Sequence, residues 1–197
     1  NLHEHHFHMP AKAFLSWIDE TQWKDIQTPT ENGTYRIYRF DDIDASELQA
    51  LRIRKSSTND YYWLGYRYSY QGNQHLKNSA YLLWEQEDPG RNLCWLVDAT
   101  PGSEFGKIDS GIPLGVTYSD FDSDVYITPI AKGGTDPDQY IDVVVNLGPF
   151  PNNNAPNLIS IEGENSIEGG QLTLLTADAL DPDGDDLTYI WDMGDGT

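Results

Sequence analysis

Apolar and polar positions alternate with a period of two along much of the chain from Gly33 onward. In the stretch YIDVVVNLG, for example, every second residue from Ile141 to Leu147 is aliphatic. Successive side chains of a β-strand point to opposite faces of the sheet, so this period predicts half-buried strands. Seven runs that we interpret as short strands come before residue 149: residues 33–40, 50–55, 61–70, 79–86, 93–100, 124–130 and 140–148.

The segments between these runs are rich in Gly, Pro, Asn and Asp. EDPGRN at 87–92 and KGGTDPD at 132–138 are two of them. These residue types favour tight turns, and short strands joined by turns are typical of antiparallel sheets. The sequence therefore predicts a mainly β fold built as an antiparallel sheet or sandwich.

One short helix is predicted before the strands. Pro10 suits a first helical turn, where its missing backbone N–H has no partner to lose. Trp17 and Trp23 add apolar surface, so we expect this N-terminal segment to pack onto the sheet. Four apolar residues recur at spacings of three and four, as on one face of a helix: Ala11, Phe14, Leu15 and Ile18.

The stretch PFPNNNAP, residues 149–156, interrupts the strand pattern and predicts a linker. Beyond it, residues 158–163, 171–178 and 187–194 are three further strand candidates. The predicted organisation is a β-rich region at 1–148, a linker at 149–156 and a second β domain at 157–197. Three strands leave a sandwich sheet without its partner, so we expect this second domain to be cut short.

Aromatic residues crowd the third predicted strand and the positions after it. Packing in the core is the main interpretation, because tyrosine and tryptophan are common in ordinary sheets. A platform that binds sugar or peptide is the alternative. The residues concerned are Tyr61, Tyr62, Trp63, Tyr66, Tyr68 and Tyr70.

The charge balance excludes one class of partner. The 197 residues include 12 Lys+Arg against 32 Asp+Glu, a formal net charge of -20, which repels a polyanion such as nucleic acid. The chain also has no apolar run of about 18 residues, so we expect no membrane span.

Cys94 is the single cysteine and lies between Leu93 and Trp95, so we expect a buried, unreactive thiol without a disulfide partner in the chain.

Histidines are concentrated at the N-terminus. The zinc-protease motif H-E-x-x-H needs a second histidine four residues after the first, and Phe7 stands four residues after His3, so the motif is absent there. A histidine-dense tail can still bind a metal ion opportunistically. A native connector, the remnant of a purification tag and a functional metal site all remain open for His3, His5, His6 and His8.

An acidic turn near the C-terminus is a second candidate metal site. Closely spaced carboxylates in a turn with Gly and Pro are typical of calcium loops, but an EF-hand needs about twelve residues ending in glutamate, which this run lacks. A solvated acidic turn and a weak calcium site are therefore the two interpretations. The candidate ligands are Asp181, Asp183 and Asp185, followed by Asp186.

No catalytic residue is predicted from this chain. A G-x-S-x-G elbow is absent from the sequence. The one histidine outside the N-terminal tail, His75, lies in the polar stretch QGNQHLKN, where we expect a solvated surface residue.

Residues 154–197 resemble the opening half of a PKD (polycystic-kidney-disease-type) domain, an immunoglobulin-like sandwich common in secreted bacterial hydrolases. The matching pieces are Asn154 to Pro156, Glu168 to Asp185 and the run WDMGDGT at 191–197. Met193 departs from the family, which more often has phenylalanine there. The resemblance implies an extracellular setting, contact with protein or polysaccharide, and a domain that continues past residue 197.

Most of residues 8–148 resembles the closing part of secreted zinc metallopeptidases of the gametolysin and immune-inhibitor-A types. The order of the motifs carries this resemblance, since each motif alone is weak. A Lys-to-Trp segment comes first, then a tyrosine-arginine strand, an Asp-x-Thr-Pro turn and a Gly-x-x-x-x-Asp element. The matching residues are Lys12 to Trp17, then Tyr61, Tyr62, Tyr66 and Arg67, then Asp98, Thr100 and Pro101, then Gly115 and Asp120.

In those families the HExxH helix and the third zinc ligand precede the Lys-to-Trp segment. The resemblance therefore implies a parent enzyme that holds zinc in an upstream catalytic domain, and a non-catalytic C-terminal fragment here. The expected function is this fragment of a secreted metallopeptidase, with the PKD module for extracellular contact. A non-catalytic extracellular binding or adhesion protein and a structural spacer are the alternatives.

Overall fold

The computed structural model describes residues 7–18, 25–42, 44–45, 47–68, 74–88, 91–149, 154, 156–164, 170–184, 187, 189 and 191. The chain divides into two compact units, Asn1–Pro149 and Phe150–Thr197. Strands greatly outnumber helices and nearly all strand pairs are antiparallel. The predicted mainly β, antiparallel fold is therefore confirmed.

The elements of the first unit begin with a helix, as predicted. In chain order they are α1 (Met9–Phe14), β1 (Ile26–Gln27), β2 (Gly33–Tyr38), β3 (Ala50–Arg54), β4 (Tyr61–Gly65), α2 (Gln74–Lys77), β5 (Ser79–Asp88), β6 (Arg91–Leu96), a 3-10 turn (Gly106–Asp109), β7 (Ile112–Pro113), β8 (Tyr118–Asp120), β9 (Val125–Gly133) and β10 (Tyr140–Leu147).

These strands form two sheets. The first sheet has the order β1-β3-β4-β5-β6, with β7 paired to β5 beside this path; β1 runs parallel to β3 and the other pairs are antiparallel. The second sheet has the order β2-β10-β9-β8 and is antiparallel throughout. Its middle strand β10 shifts register against β9 between Asp142 and Val143.

The two sheets share one hydrophobic core, which makes the unit sandwich-like. Ile141, Val143 and Val145 are fully buried, as the period-two pattern of β10 predicted. Each sheet contributes the residues of its inner face, so alternate side chains meet in the middle. The buried core includes Ile37, Leu51, Ile53, Tyr62, Leu64, Leu82, Val125, Ile127, Ile141, Val143 and Val145.

A second apolar cluster covers the outer face of the first sheet. Met9 of α1 packs there with Trp63 and Leu83 of the sheet. Gly65 allows this contact, because a Cβ at that position would lie 2.6 Å from the Met9 sulfur and 3.1 Å from the Phe40 ring. The helix therefore docks on the sheet, as expected for this segment.

The prediction of which helix face is buried was wrong. Met9 and Lys12 are the buried residues of α1, whereas Phe14 is 75% exposed and Leu15 is 43% exposed. The helix ends after Phe14 and Ser16 adopts a positive φ of 55°, so the helical period does not extend to Ile18. Ile18 is buried as expected, Trp17 is 59% exposed, and Trp23 lies outside the described residues.

The aromatic residues around β4 mainly serve the core. Tyr62, Trp63 and Tyr66 are buried, and Tyr61 and Tyr68 are half-buried. Core packing is confirmed for the three buried residues. Tyr70 lies outside the described part of the chain.

The second unit contains β11 (Asn157–Glu162) paired antiparallel with β12 (Thr176–Leu180). A strand was predicted at 171–178, but β12 begins five residues after that start, at Thr176, and residues 171–175 form no strand. Of the stretch predicted at 187–194, only Leu187, Tyr189 and Trp191 are described, and none is in a strand. Among the described helices, none combines the length and apolar character needed to cross a membrane.

Candidate functional site

Two of the motif residues, far apart in sequence, meet where the two sheets face each other. Tyr62 of β4 donates a hydrogen bond to Asp120 of β8 at 2.8 Å, and Lys55 donates to the same carboxylate oxygen at 2.6 Å. Lys55 also donates to the Tyr62 hydroxyl at 2.8 Å, and that hydroxyl lies 3.0 Å from the hydroxyl of Tyr118. We call these four residues the polar clamp.

The protonation states of the polar clamp suit a structural link. Burial raises the pKa of Asp120, but hydrogen bonds from Lys55, Tyr62 and Ser123 outweigh burial and lower this pKa to about 2. Burial, followed by the hydrogen bond with Tyr118, raises the pKa of Tyr62. At neutral pH the clamp thus holds an ionised carboxylate and a protonated phenol. The protonated phenol donates its hydrogen bond to a carboxylate that is already paired with Lys55, so the polar clamp links the two sheets.

A buried charged network lies under α1. The ammonium group of Lys12 donates to the carbonyl of Phe40, and burial lowers the pKa of Lys12 while Asp41 raises it. Arg39 donates to both carboxylate oxygens of Asp41, at 3.0 and 3.1 Å, and also contacts Asp136 at 3.0 Å. Lys12, Arg39 and Asp41 are each at most 6% exposed. The motif lysine therefore ties the helix to the sandwich.

Two further matching motif residues, Asp98 and Gly115, have roles in local backbone structure. Asp98 accepts the backbone N–H of Thr100 at 3.1 Å. Gly115 adopts a positive φ of 73° and donates its N–H to the carbonyl of Pro129 at 2.7 Å. Side chains other than glycine rarely adopt that φ, so the glycine of this element has a backbone role.

Four exposed apolar side chains lie in α1 or close to it in the sequence. Phe7 and Trp17 contact each other edge-on, with ring centroids 5.5 Å apart, and are 53% and 59% exposed. Phe14 and Leu15 are exposed as well, at 75% and 43%. We call these four residues the α1 surface. Groups of exposed apolar side chains mark contact sites more often than isolated ones do.

A groove of about 220 Å³ adjoins the α1 surface. Its polar floor consists of Arg52, Trp63 and Glu85: one oxygen of Glu85 accepts from Arg52 at 3.1 and 3.2 Å and from the Trp63 indole at 2.8 Å. Its walls are Pro10, Ala13, Phe14 and Ile26. Arg52 and Glu85 are 33 residues apart, so no sequence motif indicates this contact.

The predicted metal-ligating histidines fall mostly outside the described residues, which exclude His3, His5 and His6. His8 precedes α1 and its Nδ1 accepts the backbone N–H of Ala11 at 3.3 Å, so this histidine caps the helix. Burial lowers the pKa of His8. Its neutral form, which can accept this hydrogen bond, is therefore favoured.

Two of the predicted calcium ligands stabilise the acidic turn itself. Asp181 accepts the backbone N–H of Asp183 at 2.8 Å. The Asp183 carboxylate in turn accepts from the side-chain amide of Asn154 at 3.1 and 3.2 Å. Asp185 lies outside the described residues, and calcium binding at this turn stays a prediction.

The described residues do not fit a zinc centre. Nowhere among them do three or more His, Cys, Asp or Glu side chains converge closely enough to hold a metal ion. A catalytic zinc needs about three protein ligands beside its bound water.

The sequence predicts no reactive role for Cys94 or His75. Cys94 is only partly buried, and burial followed by the nearby Glu85 raises its pKa to about 12, so it remains a thiol at neutral pH. His75 is exposed as expected, but it lies in α2 rather than in a loop, with its ring 4.6 Å from that of Phe105.

Comparison with known proteins adds no relative. Neither a protein-family model, nor a curated protein, nor a solved structure matches the chain.

Proposed function

We propose that residues 1–148 are the non-catalytic, β-rich C-terminal part of a secreted zinc metallopeptidase, and that residues 157–197 begin a PKD module. In this proposal the upstream catalytic domain holds the zinc and hydrolyses protein. The sandwich supports that domain, and the PKD module contacts extracellular protein or polysaccharide.

The observation that carries the proposal is the α1 surface. In the families that the sequence resembles, the catalytic domain directly precedes the segment that begins at Lys12, so it would emerge beside this helix. Phe14 is 75% exposed and Trp17 is 59% exposed, so a partner that covered them would gain apolar burial. The polar clamp supports the same proposal, because Tyr62 and Asp120 both belong to the resembling motifs.

The first test is the coding sequence upstream of Asn1. A segment encoding an HExxH helix followed by a third ligand is expected. An unrelated domain or a stop codon at that place would contradict the proposal.

The second test uses the longer polypeptide, assayed by hydrolysis of a protein substrate. Phe14→Ser should lower both activity and the thermal stability of the catalytic domain, because it removes apolar contact between the two parts. Phe121→Ser is the matched control, since Phe121 is also 75% exposed but lies after β8, outside the α1 surface. Equal effects of the two substitutions would exclude a specific role for the α1 surface.

The binding or adhesion alternative predicts a different result. The chain without any upstream domain would be retained on insoluble chitin, cellulose or collagen. Saturable retention there, together with no peptidase segment upstream, would favour that alternative. A structural spacer would bind none of these polymers.

A further inference from the structure

A second pocket lies at the end of the sandwich where β3 finishes and β9 begins. It has a volume of about 450 Å³ and is lined by Pro29, Arg54, Ser56, Ser123, Asp124, Val125, Leu147 and Gly148. Small-molecule sites commonly have volumes of about 300–1,000 Å³, with apolar walls and a few polar groups. We call this cavity the end pocket, and none of its lining residues belongs to the α1 surface or the polar clamp.

Opposite charges line the end pocket without neutralising each other. Arg54 is exposed, and one of its terminal nitrogens donates a long hydrogen bond of 3.3 Å to Asn59. Asp124 is half-buried. Neither residue forms an ion pair with the other or with any other residue that the structure describes. A cation and an anion that line one cavity without pairing can each attract a ligand group of opposite sign.

The backbone holds Asp124 in place. Its φ is 52°, in the left-handed region that residues other than glycine rarely adopt, although aspartate tolerates it better than most. The carbonyl of Asp124 accepts the backbone N–H of Gly148 at 2.9 Å, which ties the turn to the end of β10. Uncommon backbone conformations of this kind recur at ligand sites, where the surrounding structure maintains them.

Serine hydroxyl groups hold together the two loops beside the end pocket. Ser56 donates to the carbonyl of Ser123 at 2.7 Å, and the hydroxyls of Ser57 and Ser123 lie 2.7 Å apart. These bonds connect the loop after β3 with the loop before β9. Leu147 is half-buried and supplies apolar surface to the wall, whereas Val125 is only 1% exposed and packs mainly in the core.

We propose that the end pocket binds a free amino acid or a short peptide through its two charged ends. The ammonium group of the ligand pairs with Asp124 and its carboxylate pairs with Arg54. Its side chain contacts the apolar part of the wall at Leu147. The proposal rests on the pocket alone and holds whether or not the chain belongs to a peptidase.

The test is a titration of the whole chain with the dipeptide alanyl-leucine. Calorimetry measures the affinity, and amide NMR shifts show which residues the dipeptide contacts. Two analogues separate the charges: the N-acetylated dipeptide lacks the ammonium group, and the C-terminal amide lacks the carboxylate. The free dipeptide should bind at least about tenfold more tightly than either analogue, because a hydrogen bond to a charged group contributes that much.

Variants assign each charge to its residue. Asp124→Asn should weaken the free dipeptide about tenfold or more and leave the N-acetylated form unchanged, since asparagine also tolerates the positive φ. Arg54→Gln should weaken the free dipeptide and leave the amide unchanged. Asp122→Asn, an exposed neighbour outside the pocket lining, is the control and should bind like the wild type.

Two results would overturn the proposal. One is that binding does not saturate and the amide NMR signals of the pocket residues do not shift with up to about 10 mM dipeptide. That concentration would mostly fill a site with a Kd of about 1 mM. The other is equal binding of all three ligands to every variant. If Asp124→Asn does not fold, Asp124→Gly provides the same test, because glycine readily adopts a positive φ.

Discussion

The carboxylate of Asp120 accepts a hydrogen bond of 2.8 Å from the hydroxyl of Tyr62, which stands 58 residues earlier in the chain. The bond joins β8 of one sheet to β4 of the other. Because Lys55 donates to the same carboxylate oxygen, the contact combines an ion pair with a hydrogen bond at a site where both charged side chains are at most 13% exposed. A change at Asp120 therefore affects both sheets.

Asp120→Asn should destabilise the first unit by about 2 kcal/mol, because it leaves the Lys55 ammonium without its counter-charge in a partly buried place. Urea unfolding followed by tryptophan fluorescence measures the change. Asp122→Asn, two residues away and exposed, should change the unfolding free energy by less than about 0.5 kcal/mol. Equal effects of the two substitutions would show that the ion pair contributes little.

The stability contributed by Asp120 should depend on pH. Its pKa in the folded chain is about 2, below the ordinary value near 3.8, so the unfolded chain binds the proton more readily. The contribution is complete above about pH 5 and is lost as the pH falls through about 2. The difference in unfolding free energy between wild type and Asp120→Asn should shrink over that interval. A constant difference from pH 7 to pH 2 would contradict the lowered pKa.

Gly65→Ala should weaken the docking of α1. The added Cβ would lie 2.6 Å from the Met9 sulfur, and overpacking of this kind costs about 1–3 kcal/mol. Thermal unfolding and proteolysis near α1 should both report the loss. Combining Gly65→Ala with Met9→Ala should cost less than the sum of the two single changes, since the shortened side chain removes the clash. Additive costs would mean that Met9 moves aside without strain.

How much the sequence predicts depends on the range of the interactions. The strand period of β10 is visible because each inner residue faces the same core, and three of the four predicted positions are fully buried. The strands β1, β7 and β8 have two or three residues each, too few to show any period. The buried face of α1 could not be predicted either, since a helix of six residues takes its orientation from the contact of Met9 with Gly65.

The candidate sites show the same limit. Tyr62 and Asp120 could be named from motifs, but their contact with Lys55 and Tyr118 depends on how the two sheets pack. Arg54 and Asp124 belong to no motif, and only the fold brings them to one pocket. Local spacing predicts local chemistry, as in the acidic turn where Asp181 accepts the N–H of Asp183.

Cys94 should react slowly in the folded chain. Burial and the nearby Glu85 raise the pKa of its thiol to about 12, and only the thiolate form reacts with alkylating reagents. The thiolate fraction at pH 8 is then smaller than in an unfolded chain by about a thousandfold, so alkylation by iodoacetamide should be at least about a hundredfold slower than in urea. Mass spectrometry of timed samples measures both rates on the same protein. Similar rates in the two conditions would mean that the partly buried thiol ionises freely, and the apolar cluster around Met9 and Trp63 would then not shield it.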